Sequence, residues 1–293
     1  MNWDDLRIFL AVARSGQMLA AARRLGLNHA TVARRLSALE DALSAKLVDR
    51  RTTGCVLTAA GEKFMETAER VEAEMLAARA GIGGEDVAIS GTVRIGAPDG
   101  FGVAYLAPRL GRLTAQHPDL TLQLVPVPRA VSLSRREADI AITVERPEHG
   151  RLVARKLVDY ELALYASRSY LAEAGEPRTI ADLKDHALVG YVEDLVYSSG
   201  LAYSQEIDRS FQPRFEIASA LGQTEAVRAG AGIGILHSFI ARTDPNFVQV
   251  LPERTIRRAY WIVIHESLRD LRRIRTVADF IAEQVGADRA CFG

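Results

Sequence analysis

From residue 3 to 14 the apolar side chains Leu6, Phe9, Leu10 and Ala13 recur with the period of a helix buried along one face, and Ser15-Gly16 ends it. A second short helix is predicted from Met18 to Leu25, crowded with Ala20, Ala21 and Ala22. Gly26 then supplies a tight turn. Asn28 can cap a third helix through its side-chain oxygen, and in that helix Val32, Leu36, Leu39 and Leu43 follow at spacings of 4, 3 and 4 as one buried stripe. Residues 47 to 58, LVDRRTTGCVLT, read as two short strands around the turn Thr52-Thr53-Gly54. Next comes a long helix over 58 to 82, begun by Thr58 as N-cap, whose positions Phe64, Ala68, Val71, Met75, Ala78 and Ile82 alternate spacings of 4 and 3. That is the heptad seam of a coiled coil and implies a partner helix, although the same stripe can pack on its own domain. The glycines 81, 83, 84 and 91 that follow read as a hinge.

Beyond residue 90 the rhythm changes to alternating strand and helix. TVRIGAP, LTLQLVPV and ADIAITV read as strands, GVAYLAPRLGRLTAQHP as a helix closed by Pro118, and SLSRREA as a short helix. After about Tyr165 a second such unit begins: a helix near Arg168 to Ala174, strands ALVGYV, RFEIA and GIGILHS, and the helix ALGQTEAVRAG between the last two. AYWIVIHE is a late strand and LRDLRRIRTVADFIAEQV a closing helix. The pattern predicts mostly parallel α/β units arranged as two lobes joined by crossing strands.

Charge sharpens this division. The 293 residues balance at 37 Lys plus Arg against 37 Asp plus Glu, which asks for neither a generally basic nor a generally acidic partner. Residues 1 to 57, however, hold nine basic and five acidic side chains, 9 − 5 = +4, and residues 58 to 90 hold three and seven, 3 − 7 = −4. The positive charge sits at the front. The opening MNWDDLRIFL has acids where a secretion signal needs bases, and no apolar run approaches a membrane span, so a cytoplasmic protein without membrane partner is expected. Cys55 and Cys291 lie far apart and form no metal-ligand spacing; no metal or cofactor is expected.

Arg pairs on an amphipathic helix ordinarily make only a solvated face. Here they stand inside a helix-turn-helix pattern: Ala22 permits close helix approach, Gly26 turns the chain, and Val32 anchors the second helix on the first. The strand pair that follows adds a wing with Arg50 and Arg51 at its base. Helix, turn, wing and local charge thus ask for the same anionic partner, double-stranded DNA.

The stretch LRIFLAVARSGQMLAAARRLGLNHATVARRLSALEDALSAKLVDR, followed by VLTAAGEKF, resembles the DNA-binding region of LysR-type transcriptional regulators, and the resemblance extends over the whole chain. Two details depart from it. Val48 stands where the family usually has an aromatic after the leucine, and His29 stands where a glutamine is common. The resemblance implies an α/β protein overall, with an N-terminal winged helix-turn-helix (1–58), a linker and dimerisation helix with hinge (59–90), and a C-terminal effector domain (91–293). That last domain would be two-lobed, like periplasmic binding proteins, with lobe I at about 91–165 plus 266–293 and lobe II at about 166–265. Tetramers are common in the family, so a homodimer or homotetramer is implied, with RNA polymerase as a further contact.

Asn28, His29, Ala30, Thr31, Ala33 and Arg34 form the N-terminal surface of the recognition helix. His29 and Thr31 are placed to hydrogen-bond base edges and Ala30 or Ala33 to touch a thymine methyl, while Arg34, Arg35, Arg50 and Arg51 suit phosphate. A dimer would set two such helices on a pseudo-palindromic promoter site. Open α/β sheets bind small ligands at strand carboxyl ends, which here offer Pro98, Asp99, Gly100 and Phe101; Pro128 and Arg129; Thr143, Val144 and Glu145; Glu193 and Asp194; Ser219 and Gln223; and His237 and Ser238. Many relatives carry Ser or Thr where Asp99 stands. Facing the cleft, Asp99 would repel a carboxylate and favour an amine or hydroxyls, or need Arg129 beside it; as a plain helix N-cap it would say nothing about the ligand.

Catalysis is not indicated. No H-E-x-x-H or G-x-S-x-G occurs, and GAGIGIL at 230 to 236 lacks dinucleotide spacing and opens a strand. The expected function is a DNA-binding transcriptional regulator whose promoter binding or DNA bending responds to an effector in the C-terminal cleft. The alternative, a solute-binding protein without a transcriptional role, explains the cleft but not the first 90 residues.

Overall fold

A computed structural model of the chain describes residues 3–51, 54–82, 89–127, 133, 137–148, 150–196, 198–208 and 211–293. They form two compact units, one built on the N-terminal 87 residues and one on most of the remainder.

In the first unit α1 (Trp3–Ser15), α2 (Met18–Leu25) and α3 (His29–Ala42) fall where the apolar period puts them. Gly26 takes the left-handed conformation, φ 65°, with its own N–H on the Arg23 carbonyl and that of Leu27 on the Ala22 carbonyl. These two hydrogen bonds close α2, and glycine adopts the conformation without steric cost. The Asn28 side chain then accepts the Thr31 N–H at 2.7 Å and starts α3. Val32, Leu36 and Leu39 are fully buried against Phe9, Leu10 and Val12 of α1, and each such side chain contributes roughly 1.5–3 kcal/mol by leaving water.

The wing is the hairpin β1 (Val48–Arg51) and β2 (Gly54–Leu57), paired antiparallel from Val48↔Leu57 to Arg51↔Gly54. Its main chain meets the turn between α1 and α2 directly, while Val48, Cys55 and Leu57 pack on the core. The Cys55 N–H donates to the Gly16 carbonyl at 2.7 Å, and a Cβ on Gly54, whose φ is 142°, would lie 2.6 Å from that same oxygen. Thr58 caps α4 (Ala59–Ile82) by accepting the Gly61 N–H at 3.0 Å. Gly61 itself faces the Leu47 carbonyl so closely that a Cβ would stand 2.0 Å away.

The second unit carries a nine-stranded sheet in the order β4-β3-β5-β11-β6-β9-β7-β8, with β10 also on β6. Along the chain come β3 (Gly91–Ala97), α5 (Asp99–Phe101), a π-helical turn (Gly102–Leu106) running into α6 (Ala107–Gln116), β4 (Leu120–Pro126), β5 (Ile140–Thr143) and β6 (Leu152–Ser167). Then follow α7 (Arg168–Ala174), β7 (Leu188–Gly190), α8 (Ser204–Ile207), β8 (Phe215–Glu216), α9 (Ala220–Arg228), β9 (Ile233–His237) and α10 (Ser238–Ala241). β10 (Phe247–Gln249), β11 (Thr255–His265) and α11 (Arg272–Ala287) complete the fold.

The expectation of mostly parallel strands holds only at the flanks. β3 pairs parallel with β4 and β5, and β7 with β8 and β9, but β6 is antiparallel to β9, β10 and β11, and β11 is antiparallel to β5. The two long central strands run past each other and join the flanking groups. Of the predicted helix over 132–138, Leu133, Glu137 and Ala138 are described and are not helical, and the other four residues lie outside the described residues.

Aromatic rings fill the middle of this unit. Tyr160 stacks on Tyr260 at 4.1 Å, Phe101 lies 4.5 Å from Tyr260, and Phe292 from the chain's last turn lies 4.9 Å from Tyr105. Asp288 holds that last turn by accepting the Tyr105 hydroxyl at 3.0 Å and the Arg109 Nε at 2.9 Å.

Candidate nucleic-acid interface and effector site

The start of α3 is exposed. Asn28, His29, Ala30 and Arg34 are exposed, and Thr31 is half-buried. Asn28 is committed as the cap, so its oxygen is occupied by the Thr31 N–H. Ala33, one turn beyond His29 and Ala30 on the same side of the helix, is half-buried and also packs against the domain core.

Arg35 takes a different direction from Arg34. Its guanidinium lies 3.3 Å from Asp4 and 3.9 Å from Asp5 of α1, so two carboxylates already answer its charge. Arg34, Arg35 and Arg7 of α1 nevertheless line one hollow of about 350 Å³ together with Thr31 and Asp4. Arg7 was not singled out in the sequence because only the packing of α1 beside α3 brings it there. Arg50 donates to the Ser37 hydroxyl at 3.0 Å, linking the wing to the recognition helix, and Arg51 stays exposed at the strand end.

Two carboxylate arrangements, one buried and one half-buried, support this surface. Glu40, 3% exposed, accepts the N–H groups of Leu47 and Val48 and the Lys46 ammonium. Burial pushes its pKa up, but the Lys46 contact and the two backbone donors outweigh that and leave it lowered. Arg14 of α1 grips Glu72 of α4 through two bonds of 3.2 and 2.7 Å, with Glu69 at 3.6 Å.

The apolar seam of α4 divides. Phe64 meets Phe9 edge to face at 5.1 Å and Ala68 is fully buried, so this half packs on its own domain. Val71 and Met75 are 41% and 48% exposed, while the side chains of Ala78 and Ile82 lie outside the described residues, as do residues 83–88 of the expected hinge.

In the second unit the structure brings Asp99, Gly100, Ser219 and His237 together. Asp99 is not the N-cap of its own helix, a place taken by Pro98. Its Oδ2 instead accepts the Ser219 hydroxyl at 2.6 Å and the Leu221 N–H at 3.3 Å, both at the start of α9. Ser219 caps that helix by accepting the Gly222 N–H at 3.0 Å. A Cβ on Gly100 would stand 3.3 Å from Ala220 and 3.7 Å from His237 Cε1, which places the imidazole next to this junction. Burial lowers the His237 pKa to about 4, with the Asp99 charge acting the other way. Tyr191 joins the group: burial, then the nearby Asp99, raises its phenol. It sits just past β7, two residues before Glu193, at the kind of strand end that carried the other candidates.

Several expected ligand contacts are spent on the fold. Phe101 is fully buried among aromatic rings, and Gln223 is 2% exposed with its Nε2 donating to the Ile217 carbonyl. The Thr143 hydroxyl donates to the Glu145 carbonyl at 2.6 Å, closing a local turn, and Ser238 donates to Glu161. Glu145 accepts the Gly200 N–H at 2.5 Å. Val144 is buried, and Asp194 is exposed on a 3-10 turn. Pro128 and Arg129 lie outside the described residues. Beyond Tyr191 a cavity of about 360 Å³ opens, lined also by Glu193, Phe211, Pro213 and Glu216. No helix among the described residues is long and apolar enough to cross a membrane.

Comparison with known proteins agrees with both halves. Residues 3–62 match the family model of the bacterial regulatory helix-turn-helix protein, lysR family, and residues 88–286 match that of the LysR substrate binding domain. The transcriptional regulator CrgA of Neisseria meningitidis is similar at 26% identity over 291 residues, 97% of each chain. A transcriptional regulator of Xanthomonas campestris is 34% identical over 183 residues, 62% of this chain and 53% of that one. The crystal structure of ArgP from Mycobacterium tuberculosis superposes over 96% of both chains with a TM-score of 0.72 at 20% identity.

Proposed function

We propose, from the premise that this chain belongs to the LysR family of bacterial transcriptional regulators, that α3 reads a pseudo-palindromic promoter site and that the Asp99 cluster is where its effector acts. The protein is a DNA-binding regulator modulated by a small molecule, not an enzyme; the residues and the assembly are the proposal. One observation carries it: exposed His29 and Ala30 open α3, Thr31 and Arg34 of the same helix line one hollow with Arg7, and Arg50 of the wing is tied to Ser37 of that helix. Cations flanking a polar helix start suit a major groove between two phosphate backbones.

Arg34, Arg50 and Arg51 serve phosphate, with Arg7 added, and Arg35 contributes through the same hollow while held by Asp4. The exposed half of the α4 seam, Val71 and Met75, pairs two subunits in the cytoplasm, and a tetramer or a contact with RNA polymerase builds on that dimer. An effector between the flanking strand groups changes how the subunits lie along the DNA. A gel-shift titration of the full chain against its own upstream DNA tests the first link: affinity should fall steeply and linearly in log–log form with salt. Binding that is weak at low salt and indifferent to sequence would refute it.

A further inference from the structure

The start of α9 is a helix N-terminus of the kind that binds anions, since its first N–H groups have no partner within the helix. In this chain the position is taken by the protein itself. Asp99 Oδ2 accepts both the Ser219 hydroxyl, at 2.6 Å, and the Leu221 N–H, at 3.3 Å. The junction is built rather than incidental, because the Ser219 oxygen that donates to Asp99 also accepts the Gly222 N–H, and Gly100 leaves room only for close contact with Ala220.

A second observation points to a ligand here. His237 is 94% buried by its 6% exposure, lies against Gly100, and among the described residues its ring nitrogens hold no hydrogen bond. Tyr160 stacks on the imidazole at 5.3 Å and Phe239 meets it edge to face at 5.5 Å, contacts that hold the ring in place. Both bonds to Asp99 fall on Oδ2, so Oδ1 also accepts none among the described residues.

We infer that Asp99 is an internal carboxylate filling the anion seat of α9, so that the small molecule bound beside it presents a hydrogen-bond donor, an ammonium or a hydroxyl, to Asp99 Oδ1 and His237, and places no carboxylate at this end. The inference rests on the effector-site reading above and gives that site its ligand chemistry. A second carboxylate at the seat would meet an equal charge at contact distance and find its two donors already used. An ammonium or hydroxyl instead finds two open acceptors, the carboxylate oxygen and a ring nitrogen of neutral histidine.

The test is calorimetric titration of the full chain with sodium acetate and with ethylammonium chloride, each against sodium chloride. Wild type is expected to take ethylammonium and not acetate. Asp99→Ala empties the seat and should gain acetate affinity by at least about tenfold while losing ethylammonium; Asp99→Asn, which fills the seat without charge, should take neither. Should Asp99→Ala not fold, as judged by thermal melting, Asp99→Ser is titrated in its place. Acetate binding by wild type as tight as by Asp99→Ala would overturn the proposal, as would a folded Asp99→Ala that gains none. A wild type indifferent to ethylammonium overturns the donor assignment alone. Promoter footprints run with the same probes separate this from the regulatory reading. Acetate gained by Asp99→Ala with an unchanged footprint upholds the seat and counts against effector control from this site. A footprint shifted in wild type by acetate upholds effector control and removes the seat.

Discussion

Glu40 Oε1 accepts the backbone N–H of Leu47 at 2.9 Å, so a buried carboxylate in the last turn of the recognition helix fixes where the wing begins. Glu40→Ala strands the Leu47 and Val48 donors in the core, and a loss of about 2–4 kcal/mol is expected by urea unfolding, with weaker DNA binding. Because its folded pKa is lowered, Glu40 stabilises the fold above its unfolded pKa, and that stability is lost as pH falls through the folded value. Glu40→Gln should therefore flatten the acid limb of the stability profile.

Arg14 and Glu72 make a half-buried charge pair, with side chains 5% and 15% exposed. Removing Arg14 alone leaves Glu69 and Glu72 facing each other without their shared cation, and Arg14→Met should cost about 3–5 kcal/mol. Arg14→Met combined with Glu69→Gln and Glu72→Met should recover most of it. Equal loss in the single and triple variants would mean that charge is not what matters there.

The recognition helix separates two roles. Arg34→Ala is expected to lower affinity about equally for all sequences and to reduce the slope of log K against log salt by about 0.9. His29→Ala should leave that slope alone and cost about 1–3 kcal/mol of discrimination at a single base position, read by competition binding with operator variants.

Val71 and Met75, exposed on α4, are expected to lie between subunits. Val71→Asp or Met75→Asp should shift sedimentation equilibrium toward monomer without lowering the melting temperature of the winged domain, whereas Ala68→Asp, inside the core, should unfold it.

His237 sets a pH window. Burial holds its folded pKa at about 4, below the ordinary 6.5, so the unfolded chain takes up a proton first as the pH falls. Its contribution is complete above 6.5 and is lost progressively down to about 4, by about 3 kcal/mol. Urea unfolding of wild type and His237→Gln between pH 7 and pH 4.5 reads this as a difference in slope.

The winged domain was legible because its signals are local: Gly26 must turn, Asn28 must cap, and Val32, Leu36 and Leu39 repeat on one face. The Arg14–Glu72 pair was not, since its members stand 58 residues apart and each looks like an ordinary surface charge. β6 escaped for a different reason. Its first half is largely exposed and its last six residues are continuously buried, so no single period runs through its sixteen residues. Reading the second unit as mostly parallel followed from that omission, because β6 supplies most of the antiparallel pairing. The strand-end rule named Asp99, Ser219 and His237, which the structure brings together, and it also named Phe101 and Gln223, whose side chains turn inward to rings and to a carbonyl.

The wing rests on the Gly16 carbonyl through the Cys55 N–H and the bare α-carbon of Gly54, with no side chain between them. Arg51 and Val56 are exposed on the two strands, and Arg50 ties the first of them to Ser37 of the recognition helix. Exposed side chains of the hairpin can change while its main-chain seat stays, so a descendant of this regulator can retune how strongly it holds phosphate one residue at a time, provided both glycines stay.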